Sequence, residues 1–162
     1  MDFKFISHLL QMNLGRGFYS YEHFERAPEI RTDASKGRDY CGGGYVSACG
    51  RYSFWRYGSR AARNPIDYLE GDTVVAAATE MGETSDWKNK VVPFGVDNMA
   101  FQKSAAKGRS KAHRLNILVR ELFALQLRFQ CIFEFFWLSS KDNLLADDLS
   151  RDREGDFLEA CS

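Results

Sequence analysis

Acidic residues interrupt otherwise apolar segments at four places along the chain: Asp33, Glu70, Asp97 and the pair Asp147 and Asp148. A buried carboxylate lowers stability unless a cation or hydrogen bonds compensate its charge. Carboxylates that converge from separate elements also repel one another unless divalent cations lie between them. Because oxygen ligands select Mg²⁺ or Mn²⁺ over zinc, these residues predict a site for two such ions.

The chemistry expected of such a site is hydrolysis of a phosphodiester bond. Two divalent cations about 4 Å apart can activate a water molecule and stabilise the leaving oxygen. This hypothesis requires that acidic residues far apart in the sequence meet in one pocket, which only the surrounding helices and strands can bring about.

Glu70 is the most informative of these residues. It lies one turn after Ile66 and one turn before Val74, on the apolar stripe of a predicted helix that should face a sheet. Its carboxylate would then point toward the other acids, where a metal ion can compensate the charge. The alternative is that Glu70 lies at the edge of the stripe and reaches solvent.

Turn residues and apolar periodicity divide the chain into elements in the order β-β-β-α-β-α-α-β-α. Three strands joined by short turns predict an antiparallel meander, and strands joined through helices predict parallel pairing. The fold class is therefore α/β with a mixed sheet. The expected strands cover 30–35, 41–49, 52–57, 91–97 and 131–138, and the expected helices cover 65–81, 99–106, 115–129 and 144–149.

Local signals refine these elements. Asn64 as N-cap and Pro65 predict the start of the first helix, and Gly82 predicts its end. The run 42–44 consists of three glycines and permits either a bulge or a close approach of another backbone. If the first and fourth strands are parallel neighbours, Asp33 and Asp97 emerge close together. Helical geometry alone does not choose between Asp147 and Asp148.

The charge balance and the cysteines limit the functions to be considered. The 22 basic and 22 acidic residues cancel, so nucleic-acid binding would have to come from local clustering. The four cysteines form no C-x-x-C pair and predict reduced thiols, three of them buried in strands. Since neither a bilayer-spanning apolar run nor a secretory signal is visible, we expect an intracellular protein, cytoplasmic or nuclear, without a membrane partner.

A local basic strip lies between positions 103 and 128, where Glu121 is the only acidic residue. Such a strip can hold phosphates, or it can simply solvate the outer face of a helix. His113 within it is expected to be a surface histidine. Asn98 can either bind a ribose or phosphate or cap the helix that follows, and we favour the cap. The basic residues are Lys103, Lys107, Arg109, Lys111, Arg114, Arg120 and Arg128.

Five short strings occur in order along the chain: Thr32-Asp33-Ala34-Ser35, Gly42-Gly43-Gly44, Leu69-Glu70, Val96-Asp97-Asn98 and Ala146-Asp147-Asp148-Leu149-Ser150-Arg151. In this order and spacing they resemble the ribonuclease H domain of retroelement reverse transcriptases. Each string is weak alone, and together they are specific. The aspartate–asparagine pair and the A-D-x-L-S-R ending most resemble tyrosine-recombinase retrotransposons, the DIRS group. The likeness covers residues 29–151.

The resemblance implies a mixed five-stranded sheet flanked by helices and hydrolysis of the RNA strand of RNA–DNA hybrids. By position it implies Asp33, Glu70, Asp97 and Asp147 as catalytic residues and metal ligands, which selects Asp147 over Asp148. It also implies that Ser35 and Gly44 approach the backbone of the hybrid. A reverse transcriptase polymerase domain encoded elsewhere is a possible partner, because these 162 residues contain no polymerase signature.

The sequence departs from the family pattern in the loop before the last aspartate. Many relatives have a histidine there that is thought to help product release, whereas residues 138–143 contain none and offer Lys141 as a partial substitute. This departure supports the alternative of a catalytically weak or inactive remnant that only binds nucleic acid. A related 3′–5′ exonuclease is disfavoured, since Ser35 stands where an Asp-x-Glu pair would place its glutamate.

Three segments are expected along the chain. Residues 1–28 form an N-terminal tail or the end of a preceding segment, 29–151 form the ribonuclease H-like domain, and 152–162 form a C-terminal tail. The sequence does not decide whether the first of these segments folds.

Overall fold

The computed structural model describes residues 24–161, which contain six strands and five α-helices. The strands are β1 (Glu25–Arg26), β2 (Ile30–Lys36), β3 (Cys41–Ser47), β4 (Tyr52–Arg56), β5 (Lys90–Val96) and β6 (Ile132–Trp137). The helices are α1 (Ile66–Thr84), α2 (Met99–Ala106), α3 (His113–Phe129), α4 (Leu144–Ser150) and α5 (Glu154–Cys161), with a 3-10 turn at Ala61–Arg63.

The strands form one mixed sheet, as predicted. The pairs β2–β3 and β3–β4 are antiparallel, because tight turns join them. The pairs β2–β5 and β5–β6 are parallel, because helices carry the chain back between them. Across the sheet the order is β4, β3, β2, β5 and β6, with β1 beside β2 along the same edge of β5.

Pro93 lies where the neighbouring strand is interrupted. On one side of β5, β1 pairs as far as Val91 and β2 pairs from Phe94 onward. Proline has no N–H to donate to a sheet, so the break between β1 and β2 falls where β5 cannot bond normally. On its other side β5 pairs with β6 throughout, including Pro93 with Glu134.

One face of the sheet carries the main hydrophobic core. Helix α3 contributes the stripe predicted from its periodicity, of which Leu115, Leu118, Val119 and Leu122 are buried. Aromatic rings from β5, β6 and the loop after α1 pack edge to face within this core. Each fully buried ring of this kind contributes about 1.5–3 kcal/mol. The nearly continuous apolar sequence of 131–138 is typical of a strand that is covered on both faces. The edge strand β6 is instead only half covered, with Trp137 48% exposed.

Helix α4 packs against the opposite face from α1, and the glycine run allows it to come close. The space in front of Gly43 is filled by Thr73 of α1, whereas the space in front of Gly44 is filled by Leu149 of α4. A Cβ atom at Gly44 would lie 2.8 Å from that of Leu149. Since the β2–β3 register is continuous, the run serves close approach and not a bulge.

The predicted ends of α1 are wrong. Pro65, not Asn64, is the N-cap residue, and the Asn64 carbonyl accepts a hydrogen bond from the Lys36 ammonium (2.7 Å). The helix continues past Gly82 to Thr84. Gly82 is buried beneath the ring of Phe129, where a Cβ would collide with that ring, so this glycine serves helix packing and not termination.

Both ends of the described chain form regular secondary structure where tails were predicted. Strand β1 pairs with β5 and Ala27 is buried in the core, while the rest of the prediction for residues 1–28 falls on 1–23, outside the described residues. Residues 152–162 were expected to be a tail, but 154–161 form α5. The ring of Phe157 is buried, 4.7 Å from that of Tyr52 between centroids.

Candidate active site

Asp33 and Asp97 lie side by side because β2 and β5 are parallel neighbours. The register pairs Thr32 with Val96, so the next residue on each strand is an aspartate. Strand β5 ends at Val96, whereas β2 continues to Lys36. The edge of β2 that faces β5 is therefore open from Asp33 onward, and this opening is where the acidic residues meet.

Glu70 reaches the same opening from α1. Its side chain is buried, with 4% of the residue exposed, so the alternative in which it reaches solvent is excluded. One carboxylate oxygen from each of Asp33, Glu70 and Asp97 lies within 4.8 Å of those of the other two. We call these three residues the carboxylate cluster. The structure thus brings together three of the four predicted acids.

Burial and mutual repulsion raise the pKa of two members of this cluster, Asp33 and Glu70. Burial, with the charges of Asp97 and Asp147, raises the pKa of Asp33 to about 7 against a hydrogen bond from Ser150 that lowers it. Burial and the charges of Asp33 and Asp97 raise the pKa of Glu70 well above its ordinary value. Without a compensating cation Asp33 therefore binds a proton near neutral pH, and the raised pKa of Glu70 favours its protonated form as well.

The cluster fits a hard divalent cation. Its donors are all carboxylate oxygens, the ligand type that Mg²⁺ and Mn²⁺ prefer. The Oε2 atom of Glu70 is buried and has no hydrogen-bond partner. An unpaired buried carboxylate oxygen is costly, and a bound cation would remove that cost.

Asp147 lies outside the carboxylate cluster. Its Oδ1 atom accepts from Arg151 Nε and its Oδ2 atom from Arg153 Nη2, each at 2.7 Å. Arg153 also binds Asp148 at 2.7 Å. Asp147 is nevertheless close enough that its charge contributes to the raised pKa of both Asp33 and Glu70. The structure places it beside the other three acids and in contact with arginines.

Hydrogen bonds join both ends of helix α4 to β2, through residues for which the sequence predicted no role. Ser150 is fully buried, and its Oγ donates to Asp33 Oδ2 while its carbonyl accepts from Ser35 Oγ. At the other end, Asn143 Nδ2 donates to the carbonyl of Thr32 (3.0 Å). The only signal for Ser150 was its presence in the A-D-x-L-S-R string, which did not reveal the partner.

Asp97 accepts hydrogen bonds from a residue at the end of β6 and from a residue in the loop after it. Ser140 Oγ donates to Asp97 Oδ2 and Trp137 Nε1 donates to the Asp97 carbonyl, each at 3.0 Å. Ser140 belongs to the loop in which no histidine is present, and Lys141 in the same loop is exposed. The loop therefore contacts the cluster through a neutral hydroxyl group.

Comparison with solved structures identifies the architecture. LC11-RNase H1 in complex with an RNA/DNA hybrid matches with a TM-score of 0.65 at 16% identity, covering 84% of this chain and 100% of that one. RNase H1 from the halophilic archaeon Halobacterium salinarum matches at 0.63 and 16%, over 80% and 98% of the two chains. The N-terminal RNase H domain of a Mycobacterium tuberculosis protein matches at 0.60 and 18%, over 84% and 100%. The chain has a ribonuclease H-like fold.

Sequence comparison identifies no relative of this ribonuclease H-like domain. No protein-family model matches the sequence, and a comparison with curated proteins found no match. At 16–18% identity the structural likeness establishes the fold of the ribonuclease H-like domain. It leaves the chemistry to be argued from the residues of the site.

The residues predicted to contact the hybrid backbone have structural partners in the ribonuclease H-like domain. Ser35 is buried and bonded to Ser150, and Gly44 is covered by α4. Asn98 caps α2, its side chain accepting from the N–H of Phe101 at 3.0 Å, which confirms the role that we favoured. A substrate contact by any of these three residues stays a prediction.

The basic strip of the ribonuclease H-like domain lies on its surface, along α2, the following loop and α3. Arg114 binds Asp67 at 2.8 Å and Arg128 binds Glu83 at 3.1 Å. His113 is exposed at the start of α3, as expected. The residues that are exposed and form no ion pair with any residue of 24–161 are Lys103, Lys107, Arg109 and Lys111.

The cysteines and helices of residues 24–161 also bear on the sequence predictions. All four cysteines are free thiols, as expected. The burial predicted for three of them is wrong, because Cys131 is buried, Cys41 is half-buried and Cys49 and Cys161 are exposed. None of the described helices has both the length and the apolar character needed to cross a bilayer.

Proposed function

We propose that this chain is a metal-dependent endonuclease that hydrolyses the RNA strand of RNA–DNA hybrids. The observation that carries the proposal is the cluster of Asp33, Glu70 and Asp97, whose oxygens lie within 4.8 Å of one another on a ribonuclease H-like fold. A similar protein, LC11-RNase H1, is described as bound to an RNA/DNA hybrid. That likeness supports the substrate class, and the oxygen-only donor set supports the choice of cation.

In this proposal Asp33, Glu70, Asp97 and Asp147 hold two Mg²⁺ or Mn²⁺ ions. When bound, the ions supply an activated water molecule and stabilise the leaving oxygen of the phosphodiester. Ser150 orients Asp33 through its hydroxyl group, and Ser140 orients Asp97. Ligands oriented in this way hold their geometry while the substrate binds.

We further propose that the domain derives from a retroelement and acts with a reverse transcriptase polymerase domain encoded elsewhere. The A-D-x-L-S-R string at 146–151 supports this origin through its resemblance to tyrosine-recombinase retrotransposons. The free thiols agree with an intracellular protein, cytoplasmic or nuclear. Four basic residues of the strip that form no ion pair within residues 24–161, Lys103, Lys107, Arg109 and Lys111, would contribute phosphate contacts to the bound hybrid.

A second candidate function is hybrid binding without turnover. The observation that favours it is the ion pairing of Asp147 with Arg151 and Arg153, which keeps the fourth acid out of the carboxylate cluster. The absence of a histidine from residues 138–143 points the same way. Such a remnant would retain hybrid affinity and lack metal-dependent cleavage.

The experiment that separates these functions is cleavage of a labelled RNA–DNA hybrid with Mg²⁺ or Mn²⁺. Single-stranded RNA, double-stranded RNA and double-stranded DNA of the same sequence serve as substrate controls, and Asp97→Asn serves as the protein control. The proposal expects metal-dependent cuts confined to the RNA strand of the hybrid. Hybrid binding with no cleavage above the Asp97→Asn background would establish the second function instead.

A further inference from the structure

The last acid of the site is occupied by two arginines that no step of the proposed function uses. Both carboxylate oxygens of Asp147 accept charge-assisted bonds, one from Arg151 and one from Arg153, at 2.7 Å each. Charged hydrogen bonds of this length are among the stronger ones that a carboxylate makes. The two guanidinium groups neutralise the charge of Asp147 and occupy a lone pair on each of its oxygens, so they compete with a cation for this carboxylate.

Both arginines lie close to Asp147 in the sequence, so the local backbone brings them to it. Arg151 follows Asp147 by one helical turn, the i,i+4 spacing at which side chains on a helix meet. Arg153 lies just beyond the end of α4 and binds Asp148 as well as Asp147. Both arginine side chains are about half exposed, at 53% and 45%. They can therefore leave Asp147 and be rehydrated without disturbing the core.

The remaining three acids differ from Asp147 in this respect. The residues 24–161 offer no arginine or lysine within ion-pair distance of Asp33, Glu70 or Asp97. Glu70 even retains a buried oxygen without a partner. The site thus consists of a cluster ready for a cation and one acid already neutralised by the protein itself.

We propose that Arg151 and Arg153 are positioning residues that hold Asp147 away from the carboxylate cluster, so that the two cations bind unequally. The first cation binds Asp33, Glu70 and Asp97 directly. The second also requires Asp147, so competition from the two arginines lowers its affinity. This inference rests on the proposed function, because it takes Asp147 as the fourth ligand.

The test measures Mn²⁺ binding in the absence of nucleic acid, so that the readout does not depend on cleavage. Electron paramagnetic resonance of free Mn²⁺, with calorimetry, gives the number of ions and both dissociation constants. Exposed ion pairs contribute little individually, so the Arg151→Gln, Arg153→Gln double variant should bind the second ion roughly 3- to 10-fold more tightly. The first dissociation constant should change by less than about 2-fold, since the cluster keeps all its ligands.

A general gain in negative charge would also attract cations, and two controls separate that effect. The Arg26→Gln, Arg128→Gln double variant removes two exposed arginines with the same charge change, but their partners are Glu134 and Glu83. It should leave both constants unchanged. The double variant that lacks both arginines of Asp147 is also made with Asp147→Asn, because a thermodynamic cycle isolates the coupling between the arginines and Asp147. In that background removal of the arginines should no longer alter cation binding.

Each outcome bears on the inference. Tightening of the second ion that disappears with Asp147→Asn supports it. An unchanged or weakened second ion, or a gain that persists with Asp147→Asn, overturns it and leaves the proposed function standing. If wild-type protein binds no Mn²⁺ at all, both fail together. Should the double variant melt early by circular dichroism, Arg153→Gln alone serves, since Arg153 lies outside α4.

Discussion

The carboxylate cluster and the basic strip are both groups of charged residues, but they differ in burial and in the contacts of their side chains. Asp33 and Glu70 are buried at 3% and 4% exposure, each on an element that forms part of the core. Lys107 and Arg109 are exposed in the loop between α2 and α3 and form no ion pair with a described residue. Hydrogen bonds from Ser150 and Ser140 hold the first set in place, whereas the side chains of Lys107 and Arg109 can move toward a ligand.

The difference shows how the two sets can act on a nucleic acid. Chemistry at one phosphorus atom needs ligands held in place, and only packed elements supply that rigidity. Affinity for a phosphate backbone needs positive charge and little geometry. We therefore expect substitutions in the cluster to affect turnover and those in the strip to affect binding.

The largest effect is expected for Glu70→Gln. Cleavage should fall at least about 100-fold, because a metal ligand is lost. The metal-free protein should become more stable by about 1–3 kcal/mol, because a neutral amide replaces a buried carboxylate with an unpaired oxygen. Urea unfolding with a chelator measures the second effect. Glu83→Gln on the same helix is the control, being 51% exposed and paired with Arg128. Lower stability of Glu70→Gln would contradict the account.

The pH dependence of the cluster is expected to be the next largest effect. Because the pKa of Asp33 rises from 3.8 to about 7, the folded state binds more protons than the unfolded state between those values. Metal-free stability contributed by Asp33 is therefore present at acid pH and declines as pH rises toward 7. Cation affinity should rise over the same interval, since binding requires loss of the proton.

Urea unfolding of wild type and Asp33→Asn across this pH range checks the prediction. The difference in unfolding free energy between the two proteins should drift by a few kcal/mol with pH in chelator and flatten when Mn²⁺ is present. A difference that stays constant in chelator would show that Asp33 titrates normally.

Ser150→Ala should have an intermediate effect. Loss of the hydrogen bond to Asp33 should lower kcat about 10-fold, the effect typical of residues that orient a metal ligand, with little change in KM for the hybrid. Ser47→Ala is a suitable control, because Ser47 is also buried but lies at the end of β3, where its hydroxyl group accepts from the N–H and Sγ of Cys49. Equal losses in both variants would indicate general destabilisation.

The smallest effects are expected in the basic strip. Lys107→Gln and Arg109→Gln should each weaken hybrid binding about 2- to 5-fold and lower the salt dependence of the binding constant by about one phosphate contact. The kcat at saturating hybrid should not change. Arg128→Gln removes a strip residue that is paired with Glu83 and should have less effect. A loss of kcat in either loop variant would remove the distinction between the two regions.

Much of the fold followed from local patterns. The meander of β2, β3 and β4 followed from short turns, and the parallel placement of β5 followed from the helix that precedes it. The adjacency of Asp33 and Asp97 could be predicted for that reason. The direction of Glu70 followed from the helical period, because one side of α1 must face the sheet. The predicted C-terminal end of α1 was wrong because Gly82 packs against the ring of Phe129, a residue that is distant in sequence.

The details of the fourth acid could not be predicted in this way. Helical spacing leaves Asp147 and Asp148 as neighbours on α4, and both turn out to bind arginine. The contact between Ser150 and Asp33 joins residues 117 positions apart and leaves no periodic trace in the sequence. Helix α5 was missed because its single buried residue, Phe157, gives no amphipathic pattern.

The sequence by itself determined which groups are present and which elements carry them, because turn chemistry and apolar spacing act over a few residues. It thereby predicted a mixed sheet, with Asp33 inside one strand, Asp97 at the end of another and Glu70 on a helix that faces the sheet. Only the tertiary structure decided which acids meet and which are already paired. Distances between side chains depend on the packing of whole elements. A shift of a few ångströms decides whether a carboxylate can bind a metal ion or is paired with an arginine.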